Sequence, residues 1–525
     1  MSAGSWQQRW FGRPGRAALA LFAVAAVPLL LGTVPPLQDL PNHLASAYIA
    51  EHAADYPELR VNGFLRSNAL LALFLHLLGG PLGLVGAARL FLALTLAAMA
   101  AALAWLGWSL AGPERLPAVA LLGWPLVHGF FVPVGLLNFS LGVAGALGAL
   151  ALARQRQLHP GTGRTLALAA LCVAAWYAHP FPIAVATVLV GLEVLLSAPW
   201  GRWPLQLPPA LGPFVPALLL SALTALGHWL KPEARPALVG GGILYLSPVD
   251  DLLQLWTHGP AGLSWLEASA FLPAAVLAFA AWTERRRIVP YFRWPAMAVL
   301  LLLYLALPSS QSNWGLFNAR LIPFLWVGAL LRAPLRPGRL LAPALAAASV
   351  AYAAGLALDY RRLEEDRRAF CAAIPRVAHR ARLLPLVFEL HGSSPFTEAM
   401  RHQWGHYVLA RETSAPLLFA VERSYPLTYV RWPPPELIPP AIDELATVAG
   451  SPRAVCSRLH RPLDDPQCPR LWEERWRRFW AVGEPAFDHL LTWREPAGFA
   501  ALVPPSFRRV LVEGPLVLYV KAPGG

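Results

Sequence analysis

Residues 90–108 read L-F-L-A-L-T-L-A-A-M-A-A-A-L-A-W-L-G-W. No charge interrupts the run, and a helix built from it is apolar on every face. A membrane barrel strand would alternate with period two, and a surface helix of a soluble domain would carry a polar stripe. Neither pattern is present. At 1.5 Å per residue the run nearly crosses the roughly 30 Å of bilayer hydrocarbon. Comparable runs recur through the first two thirds of the chain. Composition agrees: of 525 residues, 56% are hydrophobic and 14% are charged, where a soluble protein carries about a quarter charged. The sequence therefore predicts an α-helical polytopic membrane protein, because backbone groups in lipid must be satisfied within the segment.

The net charge of +13 is almost all arginine. No nucleic-acid motif accompanies it, so the arginines are assigned to cytoplasmic turns and a nucleic-acid partner is set aside. With the N-terminus in the cytoplasm, Arg9, Arg13 and Arg16 precede a first helix near 17–34, taken as retained and not as a cleaved signal peptide. The segment NALLALFLHLLGG, 68–80, is too short to span and is assigned to the interface. Later spans begin near 84, 117, 136, 165, 182, 210, 266, 295, 320 and 340, which makes about 11 transmembrane helices. This threading places Arg154, Arg156, Arg164, Arg202, Arg285, Arg286, Arg287, Arg293, Arg332, Arg336 and Arg339 inside. Counting 68–80 as a span would put them outside, against the positive-inside bias.

The expected organisation is a transmembrane helical domain, 1–358, with outer loops at 35–66, 231–265 and 309–320, and a small extracytoplasmic α/β domain, 359–525. In the latter, RLLPLVFEL, PLTYVRW, FDHLLTW, RRVLVEG and PLVLYVK read as strands, and PAIDELATVA and PRLWEERWRRFWAV as helices. Cys456 and Cys468 form a short-loop disulfide if that domain is extracytoplasmic, whereas Cys172 lies in an apolar run and packs.

The same threading gathers polar groups on the outer side. QDLPNH, 38–43, brings Asp39, Asn42 and His43, and Asp55, Glu58, Arg60 and Arg66 follow. Asn138 lies in GLLNFSLG and His179 in AHPFP. Lys231, Glu233, Arg235, Asp250 and Asp251 lie in the loop at 231–265, and Asn318 and Arg320 in SSQSNWGLFNAR. Each has a structural alternative. Asp39 before Leu40-Pro41 suits a helix N-cap. Asn138 suits a helix–helix hydrogen bond. Arg320 opens an apolar helix on the outer side and calls for an anionic partner, a phosphate or a carboxylate. HQWGH, 402–406, has the spacing of a two-histidine zinc helix but lacks its glutamate.

Taken together, QDLPNH, the outer-loop NAR at 318–320, GLLNFSLG, AHPFP and HYVLARETSAPLLFA resemble the GT-C superfamily of membrane glycosyltransferases, which use polyprenyl-phosphate-linked sugars. The resemblance implies a bacterial inner-membrane enzyme with a cytoplasmic N-terminus and a periplasmic C-terminal domain. Its partners would be the lipid bilayer, a polyprenyl-phosphate sugar and an extracytoplasmic acceptor. On that resemblance Asp39 is the catalytic base with His43 beside it, Arg320 and Asn318 bind the donor phosphate, and Asn42, His179 and Asn138 orient substrate. No DxD or WWD-type signature is present, so no metal ligand is assigned, and a divalent cation, Mg or Mn, stays open as a cofactor. Two other readings stand beside this one. A transporter or flippase would use polar groups near the midplane, for which Glu193 is the candidate. A non-catalytic envelope-assembly scaffold would need no cavity.

Overall fold

Proline decides where the first helix stops. In the computed structural model, which describes residues 13–30, 32–230, 243–244, 265–311, 314–332, 340–394, 397–420, 425–448 and 450–522, helix α1 runs Arg13–Val24 and a 3₁₀ turn follows at Val27–Leu30. Pro28 has no N–H, and its ring would meet the carbonyl of Val24, four residues back. The α-helix is therefore shorter than the 17–34 expected. The chain then runs without helix to α2 (Leu40–Glu51), passes through strand β1 (Leu59–Val61), and enters α3 (Leu70–Leu82) and the long α4 (Leu84–Ala111). The segment assigned to the interface is thus a helix of 13 residues, with Leu71, Leu75 and Gly79 buried.

The bundle continues through α5 (Leu116–Val127), α6 (Leu137–Leu158), α7 (Thr162–Ala178) and α8 (Pro180–Ser197). It is completed by α9 (Val215–Leu230), α10 (Trp265–Thr283), α11 (Trp294–Ala306), α12 (Ile322–Leu330) and α13 (Leu341–Phe370). Among the described residues, six helical stretches are long and apolar enough to cross a bilayer, and five shorter apolar helices accompany them. Helix α13 carries on past the expected domain boundary at 358. Its last turns are charged but helix-favouring, with Glu364 paired to Arg367 and Arg368 one turn on, at 2.7 and 3.2 Å.

All five segments read as strands are strands. Four form one sheet: β2 (Leu383–Val387), β4 (His489–Trp493), β5 (Phe507–Glu513) and β6 (Leu516–Lys521) stand in the order β2-β4-β6-β5. The pair β2 and β4, at one end of the sheet, is parallel and buried along its whole length, as a parallel pair covered on both faces should be. The fifth, β3 (Leu427–Tyr429), pairs antiparallel with β1 and so stitches the first outer loop to the C-terminal domain. The domain also holds the short helix α14 (Gly405–Arg411) and α15 (Gln467–Ala486). Trp472, Trp476, Phe479 and Trp480 recur at helical spacing on α15 and are its buried face. Cys456 and Cys468 are disulfide-bonded.

Helix α2 is the seam between two cores. Its Leu40, Leu44 and Ala47 belong to the apolar core of the bundle. Its Ala45 and Ile49 belong to the core of the C-terminal domain. Gly405, at the start of α14, lets the two helices approach closely, since a Cβ there would lie 2.3 Å from the Pro41 carbonyl oxygen. Whatever stands at the start of α2 is therefore held from both sides.

Candidate functional site

Asp39 stands there. Its peptide is fixed by a turn of the bundle: Gln38 N–H donates to Pro133 O at 2.9 Å, and Asp39 N–H to Val134 O at 3.1 Å. Gly135 closes that turn at φ +93°, a conformation that favours glycine. A Cβ on Gly135 would also come within 2.9 Å of Asp39. Asp39 occupies the N-cap position of α2 with Pro41 in the first turn, yet its side chain makes no capping hydrogen bond. The carboxylate is turned instead toward His402, with Nε2 at 3.4 Å, and toward the Gln38 amide, at 3.5 Å, both on Oδ1.

His43, one turn along α2, sits behind Asp39 with its ring edge-on to Phe419 at 5.6 Å. Burial holds its pKa below the usual histidine value, against the pull of Asp39 in the other direction, and His402 adds to the lowering. At neutral pH His43 is therefore an uncharged donor–acceptor.

Arg320 reaches the same place from a distant segment of the chain. It is buried in the 3₁₀ turn that leads into α12. Nη1 lies 2.7 Å from His179 Nε2, Nη2 donates to Gly315 O at 3.3 Å, and the guanidinium sits 5.3 Å from the Phe139 ring centroid. His179 is the N-cap of α8, its Nδ1 3.2 Å from Phe181 N–H. A neutral imidazole has one lone pair, and the shorter contact with a charged donor takes it.

Asp39, His43, Asn138, His179 and Arg320 line one cavity of about 80 Å³, together with Asn68, Phe419 and Tyr425. Five residues singled out in the sequence thus converge from four separate segments. Asn138 lines the cavity while its amide caps α3, accepting from Leu71 N–H and donating to Asn68 O, each at 2.9 Å. Two other candidates do not line it. Asn42 is fully buried, and its amide is engaged with Leu417 O, Phe419 N–H and His402. Asn318 caps the turn before α12, accepting from Ala319 N–H at 2.8 Å. Lys231, Glu233, Arg235, Asp250 and Asp251 lie outside the described residues.

His402, Gln38, Phe419 and Tyr425 escaped the sequence reading as site residues. HQWGH drew attention for the wrong reason: His402 faces Asp39, while His406 is buried near Arg367 and Glu364 and held near pKa 4, chiefly by burial. Among the described residues no group of three or more His, Cys, Asp or Glu converges to hold a metal ion. A single carboxylate flanked by imidazoles is also a poor match to the oxygen-rich shell that Mg or Mn prefers.

An apolar groove of about 730 Å³ begins beside the cavity, lined by small and aromatic residues of α4, α6 and α7. Leu70, Leu141 and Ala178 in its wall are close in sequence to Asn68, Asn138 and His179 in the cavity wall. At the far end of α8, Glu193 is engaged by Arg293 through contacts of 3.0 and 3.1 Å and accepts from Tyr291 N–H at 2.9 Å. Glu193, the residue that counted toward transport, is therefore half of a fixed ion pair.

No protein-family model matches the chain, and no curated protein matches it in sequence. Among solved structures it is similar to ArnT from Cupriavidus metallidurans in the apo state, with a TM-score of 0.53 and 14% identity over 99% of this chain and 98% of that one. ArnT is a GT-C glycosyltransferase. The likeness extends over both domains, and the fold of this chain is of the GT-C type.

Proposed function

We propose that this protein is a membrane glycosyltransferase that moves a sugar from a polyprenyl-phosphate donor to an acceptor on the extracytoplasmic side of a bacterial inner membrane. The observation that carries the reading is the single cavity lined by both Asp39 and Arg320. A carboxylate and a guanidinium brought together from distant segments of the chain are the two groups such a transfer requires.

The donor already carries a good leaving group. An acceptor hydroxyl oxygen attacks the anomeric carbon, the bond from that carbon to the phosphate oxygen breaks, and its electron pair leaves with polyprenyl phosphate. The acceptor proton passes to Asp39. A positioned base contributes typically 10²–10⁴-fold. Arg320 meets the phosphate charge as it develops, in a fork suited to two oxygens. His179 holds the guanidinium, and neutral His43 is available to hydrogen-bond a sugar hydroxyl. The apolar groove suits the lipid tail, since it starts at the cavity and offers almost only carbon. At about 80 Å³ the cavity is smaller than the roughly 300–1,000 Å³ of ligand pockets. Donor binding must therefore displace part of its wall, and Phe419 and Tyr425 are the wall residues from the C-terminal domain. An extracytoplasmic place for that domain agrees with the Cys456–Cys468 disulfide, which an oxidising compartment preserves.

The test is Asp39→Asn and Arg320→Ala in cells, with lipid-linked sugars and envelope glycans followed by mass spectrometry. Accumulated donor and a missing sugar modification are expected from both variants. Unchanged glycans in cells that hold normal amounts of folded variant would defeat the reading.

A further inference from the structure

Asp39 is anchored by the bundle but aimed by the C-terminal domain. The two groups that approach Oδ1 are the Gln38 amide and the His402 ring. Neither orientation is left to chance. Gln38 Oε1 accepts the backbone N–H of Glu398 at 3.1 Å, so its NH₂ end faces Asp39. Asn42 Oδ1 accepts the backbone N–H of Phe419 at 3.1 Å, and its Nδ2 donates to Leu417 O at 3.0 Å. That same Nδ2 lies 3.4 Å from His402 Nδ1. An amide nitrogen can only donate, so Nδ1 of His402 holds the lone pair and the ring proton sits on Nε2, toward Asp39. Glu398, His402, Leu417 and Phe419 all belong to the C-terminal domain, about 360 residues from their partners.

We propose that His402 and Gln38 are positioning residues: docking of the C-terminal domain sets two proton donors against Oδ1 of Asp39 and leaves Oδ2 as the oxygen that takes the acceptor proton. Among the described residues no donor is bonded to Oδ2. The contacts of 3.4 and 3.5 Å are long, as catalytic contacts are before substrate tightens them. The inference deepens the base assignment of Asp39 and rests on it. It also makes the C-terminal domain part of the catalytic unit, because without that domain both donors lose the backbone groups that orient them.

The experiment uses the full chain in lipid nanodiscs, with polyprenyl-phosphate sugars as donor and an envelope fraction as acceptor, both extracted from the producing cells, and released polyprenyl phosphate read by mass spectrometry. Asp39→Asn tests the base reading alone. His402→Ala is expected to lower kcat by up to about 100-fold with KM within about twofold. It should also move the acid limb of the rate profile to higher pH, because a donor to the charged carboxylate is gone. His402→Gln, which can still donate, should recover part of both effects, and Gln38→Ala should reproduce them more weakly. The charged or titratable groups facing Asp39 are His43 on its own helix, His402 and Arg401 from the C-terminal domain, and Arg320, His179 and Tyr425 around the cavity, all but His402 left unchanged throughout. A moved limb therefore reports the altered residue. Should His402→Ala fail to fold, nitrogen-labelled histidine in the unaltered protein decides by NMR: the proposal requires the His402 proton on Nε2. An inactive Asp39→Asn beside wild-type kcat and pH profile in His402→Ala and Gln38→Ala overturns the inference and spares the base reading. A proton on Nδ1 overturns it equally. Wild-type turnover by Asp39→Asn overturns both.

Discussion

Helix α8 carries a guanidinium at each end, and the two are used differently. At one end Arg293 clasps Glu193 in a bidentate pair, with contacts of 3.0 and 3.1 Å. At the other, about 21 Å away at 1.5 Å per residue, Arg320 is held by His179 at the N-cap and lines a cavity together with Asp39. Both ends join a carboxylate to an arginine from a distant segment. In the first the charges satisfy each other and nothing remains to bind. In the second, both groups line a cavity. A carboxylate and a guanidinium pressed together make structure; in the proposed function, the same pair around a cavity acts on something between them.

The largest expected effect comes from exchanging the two ends as targets. Arg320→Ala should cost turnover about 10²–10³-fold, the loss seen when one charge-stabilising donor is removed. Glu193→Gln should leave turnover per folded molecule near wild type while lowering stability by about 3 kcal/mol, because it strands a half-buried Arg293. Turnover on the extracted donor and thermal melts of the same preparations separate the two outcomes. Equal loss of activity from both variants would break the distinction between structural and reacting pairs.

A second test moves Asp39 without changing it. Gly135→Ala places a Cβ within 2.9 Å of Asp39 and forces a side chain into φ +93°. Displacement of the carboxylate by part of an ångström should lower kcat by about tenfold or more, with a stability loss of about 1–3 kcal/mol. Gly191 lies on the same helix as Glu193, and an added Cβ there meets nothing within 4 Å. Gly191→Ala is the matched control and should be silent in both assays.

The outer half of the molecule should also be the acid-sensitive half. Burial holds His406 near pKa 4, and His43 is shifted in the same direction. A histidine with a depressed folded pKa binds fewer protons folded than unfolded. Stability is therefore lost as pH falls from about 6.5 and stops changing through this group below about 4. For His406 the loss reaches about 3 kcal/mol at most. Melts recorded between pH 7 and 4 should show this slope, and His406→Gln should flatten it. An unchanged slope would place the acid sensitivity elsewhere.

How much of this was legible in the sequence follows from what each residue depends on. The spans were legible because an apolar run needs no partner to declare itself, and the strands of the C-terminal domain because short apolar runs bounded by turn residues are local signals. Asp39 stood out through its position before Leu40-Pro41, although the same position also suited a cap, and only the direction of its carboxylate separates the two. Arg320 stood out because a charge opening an apolar helix is expensive. His402 was hidden. Its role exists only because α14 packs on α2, and HQWGH taken alone suggests a metal helix. Asn42 and Asn318 were overread for the converse reason: an amide near a site looks chemical until its backbone partners are known. Early termination of α1 was within reach, since Pro28 was in plain view.

The smallest expected effect concerns the disulfide, and its smallness sharpens the contrast between parts of the C-terminal domain. Cys456 and Cys468 close a loop across 12 residues, with Cys468 in the first turn of α15, and neither contacts Asp39. A loop of that length is worth up to about 3 kcal/mol in the chain-entropy account. Cys456→Ser with Cys468→Ser should lower the melting temperature yet leave kcat, KM and the pH profile at wild-type values. His402→Ala should do the reverse, moving the rate profile more than the melt. If loss of the disulfide alters the pH–rate profile as well, aiming of Asp39 is spread through the whole domain. If it does not, the aiming is confined to Glu398, His402 and the segment from Leu417 to Phe419, where backbone and ring meet the start of α2.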